Sequence, residues 1–216
     1  MVKITLDWLR NQREKQELQT KTMQSELRFL KSQINPHFLF NTLNSLYALT
    51  LKKSDKAPDI VLKLSEMMRY MLYECNEPYV PLSKEVLYLR NYLDLEKLRQ
   101  GDKIVIDFIV EGNVSDQKIA PLMFMSFIEN CFKHGLGNHI APGFVKILFK
   151  VDGNEMEAVI ENSKPESMPK TLHSRSGGIG LVNVRRRLDL LYAGRYSLDI
   201  EDAPNRYAVH LKISLA

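Results

Sequence analysis

The stretch Gln33-Ile34-Asn35-Pro36-His37-Phe38-Leu39-Phe40-Asn41 sets a proline and a histidine inside what otherwise reads as one long helix. Apolar residues recur at helical spacing from about Leu9 to Leu51. Pro36 has no N–H, and its ring crowds the carbonyl one turn back, a penalty of roughly 3 kcal/mol in a helix interior. Leu27, Leu30 and Ile34 form an apolar stripe whose continuation carries His37, Asn41 and Asn44. After the proline, Leu39, Leu43 and Leu46 lie on a face displaced by about a third of a turn. The helix is therefore expected to pack on both sides of His37 while presenting it. A lone histidine beside a proline is commonly a satisfied cap or core residue. A histidine at a kink, flanked by amides and not needed for packing, is well placed to act as a nucleophile. The pattern by itself leaves both readings open.

Outward from this stretch, the helical pattern runs from Asp7 to about Lys53, roughly 65 Å at 1.5 Å per residue. Ser54-Asp55-Lys56-Ala57-Pro58 supplies a stop, a turn and a proline near the start of a second helix. Ile60, Val61, Leu64, Met67, Met68, Met71 and Leu72 give that helix a broad apolar face up to about Glu74. Two antiparallel helices cannot cover such faces alone, so a dimer forming a four-helix bundle is the economical solution.

Asn76 to Pro81 reads as a loop, followed by a third helix with Ser83 as a candidate N-cap and Gly101 as its stop. The character then changes. Ile104 to Val110 is β-branched and strand-like, and the domain boundary falls between about Asn76 and Gln100, giving domains 1–76 and 77–216. Pro121 is expected to begin a helix that Gly135 closes. Strands Phe144 to Val151 and Glu155 to Ile160 are joined by Asp152-Gly153-Asn154, a strong hairpin signal. Ser163 to Gly177 is a polar loop of about fifteen residues, a length often found over a site. A helix to about Tyr192 and strands Tyr196 to Glu201 and Tyr207 to Leu215 complete the chain.

Composition excludes several classes. With 216 residues, 44% hydrophobic and 26% charged, the chain is long enough for one large or two modest cores. It contains no run of 18 or more apolar residues, so no stretch reads as membrane-spanning, and its start is not a secretory signal. The net charge of +4 is modest and dispersed apart from Arg185-Arg186-Arg187, whose default reading is a solvated helix face. Dedicated nucleic-acid binding is not expected. Cys75 and Cys131 lack metal-ligand spacing and read as reduced thiols of a cytoplasmic protein.

Two further groups could carry chemistry. Asn130, Lys133 and His134 share one face of the helix after Pro121. An Asn carbonyl can ligate Mg²⁺, a hard ion that keeps substrate phosphates in its shell, and a Lys one turn on can neutralise those phosphates. A solvated stripe explains the same residues. Ser176-Gly177-Gly178-Ile179-Gly180-Leu181 is a glycine-rich turn opening a helix, where backbone can approach phosphate and N–H groups are free. A simple turn is the alternative, and the spacing is not that of a dinucleotide-binding fingerprint.

Taken together, His37 within Gln33 to Asn41, the helix Pro121 to Gly135 and the turn Gly178 to Asn183 resemble the phosphoacceptor box, N box and G box of LytS/YehU-like sensor histidine kinases. The resemblance spans nearly the whole chain in order. It implies an α+β protein in which a helical hairpin forms a dimeric four-helix bundle, followed by a Bergerat-type α/β sandwich that binds ATP. It implies His37 as phosphoacceptor, Asn130 as Mg²⁺ ligand, and Lys133 and His134 near the phosphates. Gly178, Gly180, Leu181 and Asn183 would shape the phosphate end of the nucleotide site.

One departure concerns Ile160-Glu161-Asn162-Ser163-Lys164-Pro165, which stands where many relatives have Asp-X-Gly-X-Gly. Asn162 keeps the strand phase, and its carbonyl can still accept a hydrogen bond from the adenine amino group. Another is that Phe38 follows the histidine where the commoner histidine kinases have an acid, so no residue is assigned as general base. The implied activity is an ATP-dependent protein-histidine kinase of a two-component system, with a homodimer and a response-regulator aspartate as partners. The chain would be the cytoplasmic portion of a membrane-bound bacterial sensor kinase whose sensory region precedes Met1. The alternatives are a non-catalytic nucleotide-binding dimeric scaffold, favoured by the altered Asn162 to Pro165 stretch, and an ATPase or chaperone on the same fold.

Overall fold

The computed structural model describes Gln12 and residues 36–134, 143–164 and 179–216; the side chains of Pro36, His37, His134 and Ile179 are outside that description. The helical pattern expected before Pro36, Gly135, the loop from Pro165 onward and Gly178 therefore lie outside the described residues. The chain divides into two compact units, Met1–Phe40 and Asn41–Ala216. In the first, Gln12 is helical and residues 36–40 open helix α1, Pro36–Leu51.

In the second unit α1 ends at Leu51, and Lys53 takes the left-handed backbone (φ 50°) that turns the chain. Helix α2, Ala57–Tyr73, begins with Pro58 in its first turn, where the missing N–H costs nothing. Ile60, Leu64, Met67 and Tyr70 are buried at the spacing of one helix face. That face packs on helix α3, Leu82–Gln100. Lys63 bridges the two helices by pairing with Asp94 at 2.8 Å, and Asn91 Nδ2 donates to Glu66 Oε2 at 2.9 Å.

The α3 helix is buried on nearly every side, from Leu82 through Glu96, because α2 covers one flank and strands cover another. It starts at Leu82, with Pro81 as the flanking residue and no side-chain cap, so Ser83 is a helical residue instead of the expected cap. Gly101 (φ 60°) ends it, donating its N–H to Lys97 O. The segment expected as loop before α3 includes a short strand, β1 (Val80–Pro81), paired antiparallel with β3 (Lys118–Ile119).

The main sheet holds five strands. They are β2 (Ile104–Glu111), β4 (Gly143–Asp152), β5 (Glu155–Ser163), β6 (Tyr196–Asp202) and β7 (Arg206–Ser214), in the order β2-β4-β5-β7-β6. The β2–β4 pair is parallel, with Val105 opposite Phe144, and the other pairs are antiparallel. Gly153 takes φ 56° in the β4–β5 hairpin, as the Asp-Gly-Asn turn predicts.

One face of the sheet is core. Val145, Ile147, Phe149, Ala158, Ile160, Val209 and Leu211 are buried there, and the Phe124 and Phe149 rings lie 4.5 Å apart. Each fully buried side chain of this size contributes about 1.5–3 kcal/mol. The opposite face carries charges in register, Asp107 beside Lys146 beside Glu161, as a solvated antiparallel face does.

Helix α4, Met125–His134, contacts β5, and helix α5, Ile179–Leu191, contacts α4. The fold is thus α+β, with helices layered on one face of a mixed sheet, as expected. The start of α4 is not as expected. The helix begins four residues after Pro121, because Leu122 takes φ 57° and its N–H goes to the Glu85 carboxylate at 3.0 Å instead of into a helix. Helical bonding starts only when Phe127 and Ile128 donate to Phe124 O. No described helix is long and apolar enough to cross a membrane.

Candidate functional site

The α4 helix has two unlike faces. Phe127, Ile128, Cys131 and Phe132 are buried, whereas Ser126, Glu129 and Asn130 are half-buried and Lys133 is exposed. Asn130 and Lys133, two of the site residues expected from spacing, therefore share the face that the core leaves open. Lys133 Nζ lies 3.4 Å from Glu129 Oε2, one turn back. Burial holds the Glu129 carboxyl above the usual range, opposed by Lys133 and reinforced by Glu96. Glu129 was not among the residues expected to carry chemistry; its desolvation depends on neighbours that spacing does not reveal. The backbone of His134 closes the helix.

The beginning of α5 stands against this face. A Cβ built on Gly180 would lie 3.8 Å from Ser126 Cβ. Ser126 is one turn before Asn130 on the same face, so Gly180 and the Asn130 helix meet. Leu181 is buried and Asn183 half-buried on the following turn of α5.

Asn162 occupies the end of β5, opposite Val145 on β4 and Tyr207 on β7. It is 2% exposed, and its Nδ2 donates to Ser163 O at 2.8 Å, so Oδ1 is the acceptor of this amide. Tyr207 is pushed up by burial and then by neighbouring Cys131 of α4. That neighbour brings the Asn162 end of the sheet alongside α4. Gly180 at the start of α5 and strand β5, which carries Asn162 near its end, thus both pack against α4 within one unit. The structure describes His37 only as backbone in the first turn of α1, within the other unit.

The arginine triplet is not uniformly solvated. Arg185 and Arg186 are exposed, but Arg187 is 5% exposed, on the α5 face that also carries Val184 and Leu188. Its position in the apolar phase of α5 was the signal that could have marked it. Among the described residues no three His, Cys, Asp or Glu side chains gather as a metal cage. Asn130 offers a single amide oxygen, a donor that suits Mg²⁺ carried mainly by substrate phosphates and water.

Comparison with known proteins adds the class. Residues 25–104 match the family model for histidine kinases. The sensor protein LytS of Oceanobacillus iheyensis is 32% identical over 190 residues, covering 83% of this chain and 32% of its own length. LytS of Enterococcus faecalis is 31% identical over 210 residues, covering 92% and 36%. The sensor histidine kinase BtsS of Escherichia coli K12 is 29% identical over 184 residues, covering 85% and 32%. The histidine kinase domain of the Erythrobacter litoralis EL346 blue-light activated kinase superposes with a TM-score of 0.47 at 15% identity, covering 83% of this chain and 96% of that one.

The class is therefore the histidine kinases, on the match over residues 25–104. The sequence relatives narrow the likeness further: over most of its length the chain is similar to LytS-like sensor histidine kinases. It spans about a third of the length of these curated relatives.

Proposed function

We propose that this chain is the catalytic portion of a two-component sensor kinase, which transfers the γ-phosphoryl of ATP to a ring nitrogen of His37. The imidazole nitrogen forms a bond to phosphorus, the bond to the ADP oxygen breaks, and the phosphoryl group then passes to an aspartate of a response regulator. The observation that supports this reading best is the approach of Gly180 to Ser126, one turn from Asn130. It supports a site in which a helix N-terminus and an oxygen donor one turn away serve a nucleotide's phosphates.

In this reading Asn130 would hold Mg²⁺ through its amide oxygen, and the bound ion would supply positive charge against the phosphates. Lys133, released from Glu129, and His134 approach the phosphates. Gly178, Gly180, Leu181 and Asn183 shape their seat, and Asn162 Oδ1 accepts from the adenine amino group. Catalysis rests on positioning and charge neutralisation, as phosphoryl transfer generally does.

Residues 1–76 serve as dimerisation and phosphoacceptor domain and residues 77–216 as ATP-binding domain. The homodimer is supported by apolar side chains left uncovered on α1 and α2, namely Tyr47, Leu51, Val61, Leu62 and Tyr73. The chain works on the cytoplasmic side of a membrane through a sensory region beyond it. Labelling with γ-³²P-ATP tests the reading: wild-type protein takes up label only with Mg²⁺, and Asn130→Ala takes up none. Equal labelling of Asn130→Ala would remove that residue from the site.

A further inference from the structure

Two separate parts of the chain bond to the carboxylate of Glu85, a fully buried residue of α3, and a third carries a buried charge near it. Tyr70, in the last turn of α2, donates its hydroxyl to Glu85 Oε2. Leu122 donates its N–H to the same oxygen at 3.0 Å from the left-handed turn that precedes α4. Arg187 of α5, itself 5% exposed, is buried near enough to Glu85 for the two charges to attract, though the two make no direct ion pair.

Each arm leads to a different part of the kinase. Leu122 decides where α4 begins, and so where Asn130 stands. A left-handed conformation is unfavourable for a non-glycine residue, so something must hold it, and the Glu85 oxygen is its partner. Arg187 lies about two turns along α5 from Gly180. The far end of α5 is anchored as well: Tyr79 Oη donates to Leu191 O at 3.2 Å, and Tyr192 Oη accepts from Ala120 N–H at 2.8 Å. Tyr70 belongs to the helix that follows the one bearing His37.

A plain core staple would be built differently. Burying a carboxylate and a guanidinium carries a heavy desolvation penalty, and well-packed apolar residues commonly hold a core as well or better. Burial pushes the Glu85 carboxyl up and the Arg187 guanidinium down, each opposed by the other. Among the described residues Arg187 Nε and Nη2 and Glu85 Oε1 have no hydrogen-bond partner, so the pair attracts across the core without being locked.

We propose that Glu85, Arg187 and Tyr70 are positioning residues for phosphoryl transfer: the Glu85 carboxylate seats the start of α4 and the axial position of α5 together, and Tyr70 makes that seat answer to α2. The inference rests on the reading of Asn130 and the Gly180 turn as a nucleotide site. Movement of α2 would withdraw the Tyr70 hydroxyl, leave the carboxylate less well stabilised, and shift both helices through Leu122 and Arg187.

The test combines binding of a fluorescent ATP analogue with initial rates of labelling at several ATP concentrations. Tyr70→Phe keeps the ring beside Tyr88, whose centroid is 4.9 Å away, and removes only the hydroxyl. It is expected to lower kcat about tenfold while KM and analogue affinity stay within about twofold. Glu85→Gln and Arg187→Met are expected to weaken analogue binding about tenfold, with Arg187→Lys restoring most of it.

A merely structural role predicts variants that are less stable but, where folded, bind and label as wild type, and that result overturns the proposal. If Glu85→Gln and Arg187→Met do not fold, Tyr70→Phe decides alone: an unchanged kcat overturns it. Wild-type protein that binds no nucleotide would defeat the kinase reading itself, and with it this inference. Wild-type labelling with unaffected variants would defeat only the inference.

Discussion

Gly180 at the start of α5 faces Ser126 of α4 so closely that a methyl group on the glycine would just touch the serine Cβ, at 3.8 Å. That separation is ordinary van der Waals contact, so packing between the helices does not itself require glycine. Gly180→Ala should leave the protein as stable as wild type or up to about 1 kcal/mol more stable, since alanine is the better helix former. If the backbone here approaches phosphate, the same substitution should weaken nucleotide binding at least several-fold. Thermal melts together with titration of a fluorescent ATP analogue separate the two effects. Unchanged affinity would make Gly180 a turn residue only.

The uncovered apolar side chains of α1 and α2 lead to a prediction about assembly. Val61 and Leu62 are half or more exposed, while Ile60 and Leu64 beside them are buried against α3. Apolar exposure of this kind on one helix marks an interaction surface. Sedimentation equilibrium should give twice the chain mass of 25.0 kDa, and Val61→Asp with Leu62→Asp should give the chain mass. A wild-type monomer at micromolar concentration contradicts the bundle.

Cys131 provides a probe of the α4 core. Its Sγ donates to Phe127 O at 3.3 Å, and burial pushes the thiol up to about 12 from 9.0. Because the folded state favours the protonated thiol, this group's contribution to stability is complete below about pH 9 and is lost as pH rises towards about 12. At pH 8 only about one native molecule in ten thousand carries the reactive thiolate there. Iodoacetamide should leave Cys131 unmodified in native protein and alkylate it in urea, read by mass spectrometry of peptides. Modification at the unfolded rate in native protein would contradict the packing of α4.

What could be read from the sequence was set by local chemistry. The β4–β5 hairpin followed from Asp152-Gly153-Asn154, and α2 from the spacing of Ile60, Leu64 and Met67 together with Pro58. Asn130 and Lys133 were placed on one face because three residues is nearly one turn. What escaped the reading depends on distant partners. Glu85 takes the Leu122 N–H and delays α4 beyond Pro121, and Arg187 is buried within what otherwise looks like a solvated basic run. The parallel pairing of β2 with β4 was equally hidden, since α4 intervenes in sequence. The approach of Gly180 to Ser126 required the fold.

The central claim is that His37 is the phosphoacceptor and that the second unit delivers the phosphoryl group. It is tested most directly by incubating wild type, His37→Ala and Asn130→Ala with γ-³²P-ATP and Mg²⁺, then treating the protein with acid or base. The account predicts that wild type carries label that is lost in acid and survives base. His37→Ala should bind the ATP analogue as wild type does yet stay unlabelled, whereas Asn130→Ala should stay dark with its acceptor intact. Labelling of His37→Ala at the wild-type level would contradict the account.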